Sequence, residues 1–306
     1  MTDSLAGTPA AGAVVVVGDV MTDVVARVDN PLALGSDTAA AVVTRQGGAG
    51  ANVAAWLAEQ GQPAVLVGRI GDDPFGREAA DVLARGGVRP VLALDPTRPT
   101  GTCVVLVGRD GERTMLPDAG ANTGLSPDDV PVDLLTGARH LHVSGYTLLN
   151  PGSREAGLTA IAAARAAGVP VSVDPASAAP LEAVGGKEFL RLTEDVGLAL
   201  CTIDEAEVLV GTRHPDVAAA RLTATYREVV LKLGADGARW SSADDPTGHR
   251  VAACVCAGGV VDSTGAGDAF AAGYLATTLS GSGVPEALAA GCALAARVAA
   301  RVGARP

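Results

Sequence analysis

The 306-residue sequence predicts an α/β fold: a mostly parallel central sheet with helices on both faces, and a small β-sheet lid beside it. Three observations carry this expectation. The run Ala13-Val14-Val15-Val16-Val17 has no polar alternation, as a strand buried on both faces requires. Strand-length apolar runs then alternate with helical segments along most of the chain, the order that builds a parallel sheet. Two stretches break that alternation with short β-prone pieces. The chain is therefore read as one domain, 1–306, whose lid is formed discontinuously by about 24–46 and 99–117.

Each element has its own reason. Asp19 and Asp23 follow the first strand, at the edge where open α/β sheets bind ligands. Read locally, either acid is also a turn residue. The lid pieces are Val24–Val28 with Ala40–Arg45, and Thr102–Gly108 with Glu112–Leu116. Arg109-Asp110-Gly111 joins the second pair and carries an Asp-Gly hairpin signal. The competing reading makes all four pieces edge strands of the main sheet. A helix over Ala51–Gln60 opens at Gly50 and closes at Gly61. A strand at Ala64–Gly68 leads through a turn and N-cap, 71–76, into a helix at Pro74–Ala84, and Gly87–Ala93 is the next strand.

Further strands are expected at Leu141–Ser144, Val169–Val173, Val196–Cys201 and Glu228–Lys232, with an Ala-rich helix at Ser153–Ala167. His140 and His142 share one strand face, but no third ligand type is arranged with them, so they are read as structural. Trp240 is expected to pack behind the loop after Lys232. Helices starting at Gly267 and spanning Pro285–Arg301 close the chain.

Composition excludes several classes. A net charge of −11 argues against a general nucleic-acid or anionic-membrane binder. Gly186-Lys187 is followed by Glu188, so there is no Walker A loop. Cys103, Cys201, Cys254, Cys256 and Cys292 include no Cys-x-x-Cys pair and are read as small buried residues. Residues 1–12 lack a signal-peptide pattern, and Glu286, Arg297 and Arg301 interrupt the Ala-rich end, so no membrane span is expected and the cytoplasm is the expected location.

Two glycine-rich stretches carry the chemistry. In 261–274, Gly265 and Gly267 allow a tight turn into a helix whose first N–H groups have no helical partner. Those donors and the positive helix end form an anion site. Asp268 lies in that first turn, where a carboxylate can take a hydroxyl proton while the N–H groups of Gly265, Ala266 and Gly267 hold developing charge. Taken alone, Asp268 is also a helix-capping acid. In the second stretch, Gly47-Gly48-Ala49-Gly50-Ala51-Asn52, the backbone can approach substrate oxygens and Asn52 can donate and accept. A dinucleotide fingerprint is the rival reading, but its third glycine is replaced by Val53.

Asp-Ser-Thr-Gly-Ala-Gly-Asp-Ala-Phe at 262–270 resembles the C-terminal signature of the ribokinase-like (PfkB) family of carbohydrate and nucleoside kinases. Residues 47–54 resemble that family's other signature. The resemblance implies a ribokinase-like fold and an ATP-dependent kinase acting on a primary hydroxyl of a small sugar. The alternative is a nucleoside of adenosine or pseudouridine type; a non-catalytic binding regulator is the third reading. It further implies that Asp23, Gly47, Gly48 and Asn52 hold the acceptor, and that Thr202, Lys232, Gly234, Gly237 and Thr264 line the ATP site. Glu205 would organise water around Mg2+, and Asp262 and Thr264 would hold a monovalent cation such as K+. A homodimer through the lid also follows from the resemblance. Three positions depart from it: Ala49 replaces a lysine common in ribokinases, Ser144-Gly145-Tyr146 replaces an acid, and Thr202 replaces an asparagine. The lid has no aromatic residue to stack a base, which favours a plain sugar.

Overall fold

The computed structural model describes residues 12–109, 113–255 and 259–306. Asp110-Gly111, Cys256 and the first eleven residues lie outside them. In chain order the strands are β1 (Val14–Val17), β2 (Met21–Val28), β3 (Ala40–Gly47), β4 (Ala64–Gly71), β5 (Val88–Asp95), β6 (Gly101–Val107), β7 (Arg113–Asp118), β8 (His140–Ser144), β9 (Val171–Asp174), β10 (Leu198–Thr202), β11 (Glu228–Lys232), β12 (Ala238–Ser242) and β13 (His249–Val251). The helices are α1 (Ala49–Glu59), α2 (Pro74–Arg85), α3 (Gly145–Leu149), α4 (Arg154–Ala166), α5 (Ala178–Val184), α6 (Gly186–Leu192), α7 (Ile203–Val210), α8 (Pro215–Leu222), α9 (Ala266–Leu279) and α10 (Val284–Ala299).

The main sheet has the order β13-β12-β11-β10-β9-β8-β1-β4-β5. Its seven strands from β11 to β5 run parallel, and β12 and β13 add antiparallel at one edge. β1 lies inside the sheet, between β8 and β4, and is buried on both faces, as its valine run predicts. Its side chains divide with period two between two cores. Val15 and Val17 pack with one set of residues, and Val14 and Val16 pack with another that includes α1, α9 and α10. The last two helices lie close because their contact is built from small residues; a Cβ on Gly291 would come within 2.9 Å of the Phe270 ring.

β3-β2-β6-β7 form a second, separate sheet. The four irregular pieces are therefore not edge strands of the main sheet. β2 begins earlier than the sequence suggests, so Asp23 stands inside it, opposite Arg45 and Cys103, rather than in a turn after β1. Asn122 fastens this sheet's return to the core, accepting from Val20 N and donating to Val20 O and Ala119 O, each at 2.9 Å.

Smaller differences have local causes. α1 starts at Ala49 and ends at Glu59, with Gln60 as the cap and Gly61 as the positive-φ residue after it. The N-cap expected within 71–76 is Asp73, which accepts from Gly76 N at 2.8 Å at the start of α2. Cys103, Cys201 and Cys292 are buried, but Cys254 is exposed, which corrects the uniform reading of the cysteines. His140 and His142 both bond Ser172 Oγ, at 2.8 and 2.9 Å, and burial pushes each imidazole down to about 3. They stay neutral and structural. Trp240 pairs with Val230 across β11 and β12 and donates to Glu228 Oε2, so it braces that edge of the sheet.

Candidate active site

The parallel strands end on one edge, where α1 and α9 begin. α1 starts at the glycine run. Its N-cap, Gly48, has φ 94° and offers no side chain, and a Cβ there would meet Asp19 O at 2.5 Å. Asp19 supplies the missing cap from the end of β1. It accepts from Ala49 N (2.9 Å), Gly50 N (3.2 Å) and Ser144 Oγ (3.0 Å). Asp19 thus braces the glycine run, and Ser144 is spent on the same carboxylate.

α9 starts at Gly265, in a left-handed conformation with φ 75°. The expected donors divide. Ala266 N turns back to Ser263 O at 3.1 Å, while the N–H groups of Gly265 and Gly267 have no hydrogen-bond partner among the described residues. These two remain for an anion; Ala266 is the expected donor that is already in use. Asn52 Nδ2, from the first turn of α1, donates to Asp268 Oδ2 at 2.9 Å. The two glycine-rich stretches, 216 residues apart in sequence, meet through this bond. Burial pushes Asp268 up to about 7; the Asn52 bond opposes that, Asp174 adds to it, Lys232 opposes it and Asp19 adds to it.

A second cluster lies beside the α9 N-terminus. Lys232 Nζ pairs with Asp174 Oδ2 at 2.5 Å, and both are buried. A Cβ on Gly267 would lie 3.4 Å from that ammonium, so Lys232 flanks the anion site. Burial works against its charge, but Asp174 and Glu205 outweigh burial and hold Lys232 above its ordinary range. Asp174 Oδ1 accepts from Ala176 N, a non-glycine residue at φ 76°. Thr202, where relatives are expected to have asparagine, caps α7. Thr202 Oγ1 accepts from Glu205 N at 3.2 Å, and Thr202 N donates to Glu205 Oε2 at 2.8 Å. Burial pushes Glu205 up to about 6, against the pull of Lys232.

Among the described residues no group of three or more His, Cys, Asp or Glu is set to hold a metal. The buried carboxylates of Asp174, already paired with Lys232, and Glu205 beside the anion site would suit a cation carried on phosphates with its own waters. Gly234 has open space around its Cα, while a Cβ on Gly237 would strike Val251 O, so Gly237 is required by the β12–β13 packing.

Asp23 faces this assembly from the smaller sheet. A Cβ on Gly47 would touch its carboxylate, so Gly47 and Asp23 are in contact. Burial pushes Asp23 up to about 6, with Arg305 pulling it back. Asp262, at the start of the α9 turn, accepts from Thr264 N at 2.8 Å and from Gly303 N at 3.0 Å, joining that turn to the chain end.

Arg305 is the functional-site residue that sequence reasoning missed. Its Nε donates to Asn52 Oδ1 at 3.1 Å, and its Nη2 donates to Gly47 O. An arginine six places beyond an Ala-rich helix carries no local signal. Tyr146 was read only as a departure; Asp19, Asp268 and Glu205 lie near enough to help burial raise its phenol to about 12.

A model of the pfkB family carbohydrate kinases matches residues 12–306. The chain belongs to that family. It is therefore a phosphotransferase of the carbohydrate-kinase type. It is similar to a fructokinase of Klebsiella pneumoniae, 36% identical over 253 residues that cover 80% of each chain. It is also similar to an ATP-dependent ribose-1-phosphate kinase of Halopiger xanaduensis, 34% identical over 94% of this chain and 92% of that one. Among solved structures, an adenosine kinase from Sinorhizobium meliloti superposes with a TM-score of 0.88 at 27% identity, covering 96% of this chain and 95% of that one. An Arabidopsis thaliana ribokinase complexed with ribose and ATP superposes with a TM-score of 0.80 at 25% identity, covering 96% and 94%.

Proposed function

We propose that this kinase transfers the γ-phosphoryl group of ATP to a primary hydroxyl of a small sugar, with Asp268 as the base. The observation that carries the reading is Asp268 in the first turn of α9, beside the unpartnered N–H groups of Gly265 and Gly267 and bonded to Asn52. A hydroxyl oxygen attacks the γ-phosphorus, its proton passes to Asp268, and the bond to the β-phosphate oxygen breaks to release ADP. A base raised to about 7 accepts a proton effectively near neutral pH. The two N–H groups and Lys232 stabilise charge on the transferring group.

Asp23, Gly47, Gly48 and Asn52 hold the acceptor. Thr202, Lys232, Gly234, Gly237 and Thr264 belong to the nucleotide side. Glu205 would hold a water of a magnesium ion brought on ATP, which would supply charge neutralisation at the phosphates. The ribokinase neighbour complexed with ribose and ATP supports the same ligand classes here. A monovalent cation at Asp262 and Thr264, and pairing of two copies through the smaller sheet, belong to this reading.

A nucleoside acceptor is the second reading. Tyr146 favours it: the residue, in α3 just after β8, is 38% exposed and near the site's carboxylates, and it offers a ring to a base. The discriminating experiment is acceptor-dependent ADP release with fructose, ribose, ribose-1-phosphate and adenosine. Asp268→Asn is expected to lower turnover by about 10³-fold. Near-normal turnover in that variant would remove Asp268 from the role of base.

A further inference from the structure

Arg305 reaches the site from the end of the chain, and its placement is built rather than incidental. Trp56 Nε1 donates to Ala304 O at 2.7 Å, and Gly303 N donates to Asp262 Oδ2. A Cβ on Gly265 would collide with Ala304. These contacts fix the last residues between α1 and the turn that opens α9. Arg305 then spends two nitrogens on the acceptor strip, on Asn52 Oδ1 and Gly47 O. Its third, Nη1, is buried without a hydrogen-bond partner.

Asn52 is bonded on both ends of its amide. Arg305 can only donate, so it takes Oδ1; that turns Nδ2 toward the Asp268 carboxylate. The reverse orientation would set Nδ2 against the guanidinium and Oδ1 against the carboxylate, leaving both contacts repulsive. We propose that Arg305 is a positioning residue of the active site, which locks the Asn52 amide so that it donates to Asp268.

A donor aimed at Asp268 favours its ionised form. The other charged or titratable groups that act on Asp268 are Asp19 beyond β1, Asp174 at the end of β9, Lys232 on β11 and Tyr146 on α3. Arg305 itself stays charged. Burial pulls it down to about 10, well above neutral, with Asp23, Asp19 and Asp268 holding it up. That the lock matters for turnover rests on the reading of Asp268 as the base; the lock itself does not.

The test needs no acceptor. Protein labelled with 13C at the aspartate carboxyls is titrated by NMR, and Asp268→Asn identifies the Asp268 resonance by its loss. Arg305→Met is expected to raise the Asp268 midpoint by roughly half a unit or more. Arg305→Lys keeps the charge but not the two-pronged geometry, so it is expected to leave the midpoint raised. In an Asn52→Ala background, Arg305→Met is expected to raise the midpoint less than in the wild-type protein, by only the direct charge effect that lysine preserves. An unchanged midpoint in folded Arg305→Met, or full restoration by lysine, overturns the proposal. If the methionine variant does not fold, the lysine variant decides alone by the same criterion. The activity of Asp268→Asn is a separate readout: normal turnover there sinks the base assignment without touching the midpoint result.

Discussion

On the proposed reading Asp268 has to be ionised to accept a proton, yet it sits where ionisation is costly. Burial pushes it up to about 7, and Asn52 recovers part of that cost. The sign for stability follows. A carboxyl raised above its ordinary range supports the fold fully at low pH, and that support is lost as pH rises through about 7. Asp268→Asn removes the charged form and keeps the shape. It is expected to raise the melting temperature at pH 8 by a few degrees, on the order of 2 kcal/mol, and to change it little at pH 4. Thermal melts at the two pH values check this; a lower melting temperature at pH 8 would contradict it. The site would then be one that gives up stability for activity.

At the scale of elements, the site depends on two helix starts braced by residues from elsewhere in the chain. The N-cap of α1, Gly48, has no side chain, and Asp19 at the end of β1 satisfies the Ala49 and Gly50 N–H groups. Asp19→Ala leaves those donors and Ser144 Oγ without their acceptor. A loss of about 1–3 kcal/mol is expected. Because Gly47 and Gly48 are expected to line the acceptor, the same change should raise the acceptor KM more than it lowers kcat. Denaturant unfolding and steady-state kinetics measure the two effects; an unchanged midpoint would show that water replaces the carboxylate. α9 is braced in the same indirect way, by Gly265 packed on Ala304 and by Asp262 bonded to Gly303.

At the scale of the whole molecule, the smaller sheet ends on β3 and β7, which pair with no further strand among the described residues, and it carries an apolar surface. Val42 and Val43 on its edge strand β3 are 59% and 43% exposed, and Met115 and Leu116 on the other edge are 50% and 55% exposed. An uncovered edge of this kind pairs readily with another strand. A second copy of the chain is the expected cover, so light scattering should report a dimer. Val42→Lys with Met115→Lys should yield a monomer. A wild-type monomer at high concentration would remove the dimer from this reading. No helix among the described residues is long and apolar enough to cross a membrane.

What the sequence determined by itself is what local chemistry can specify. The valine run of β1, the β–α alternation and the two glycine-rich signatures each follow from period, propensity or backbone freedom within a few residues. They made legible the parallel sheet, the separate small sheet, and the pairing of Asp268 with a helix N-terminus. Asn52 and Asp23 were legible as polar residues beside glycines, though not in their contacts. Only the tertiary structure decided the rest, because it depends on residues brought together from distant positions. Asp19 reads as a turn acid until Ala49 and Gly50 fold over it. Lys232 reads as the start of a nucleotide loop until β9 sets Asp174 against it. Arg305 reads as an ordinary terminal arginine until Trp56 and Asp262 fix the chain end, and the guanidinium meets an asparagine 253 residues earlier.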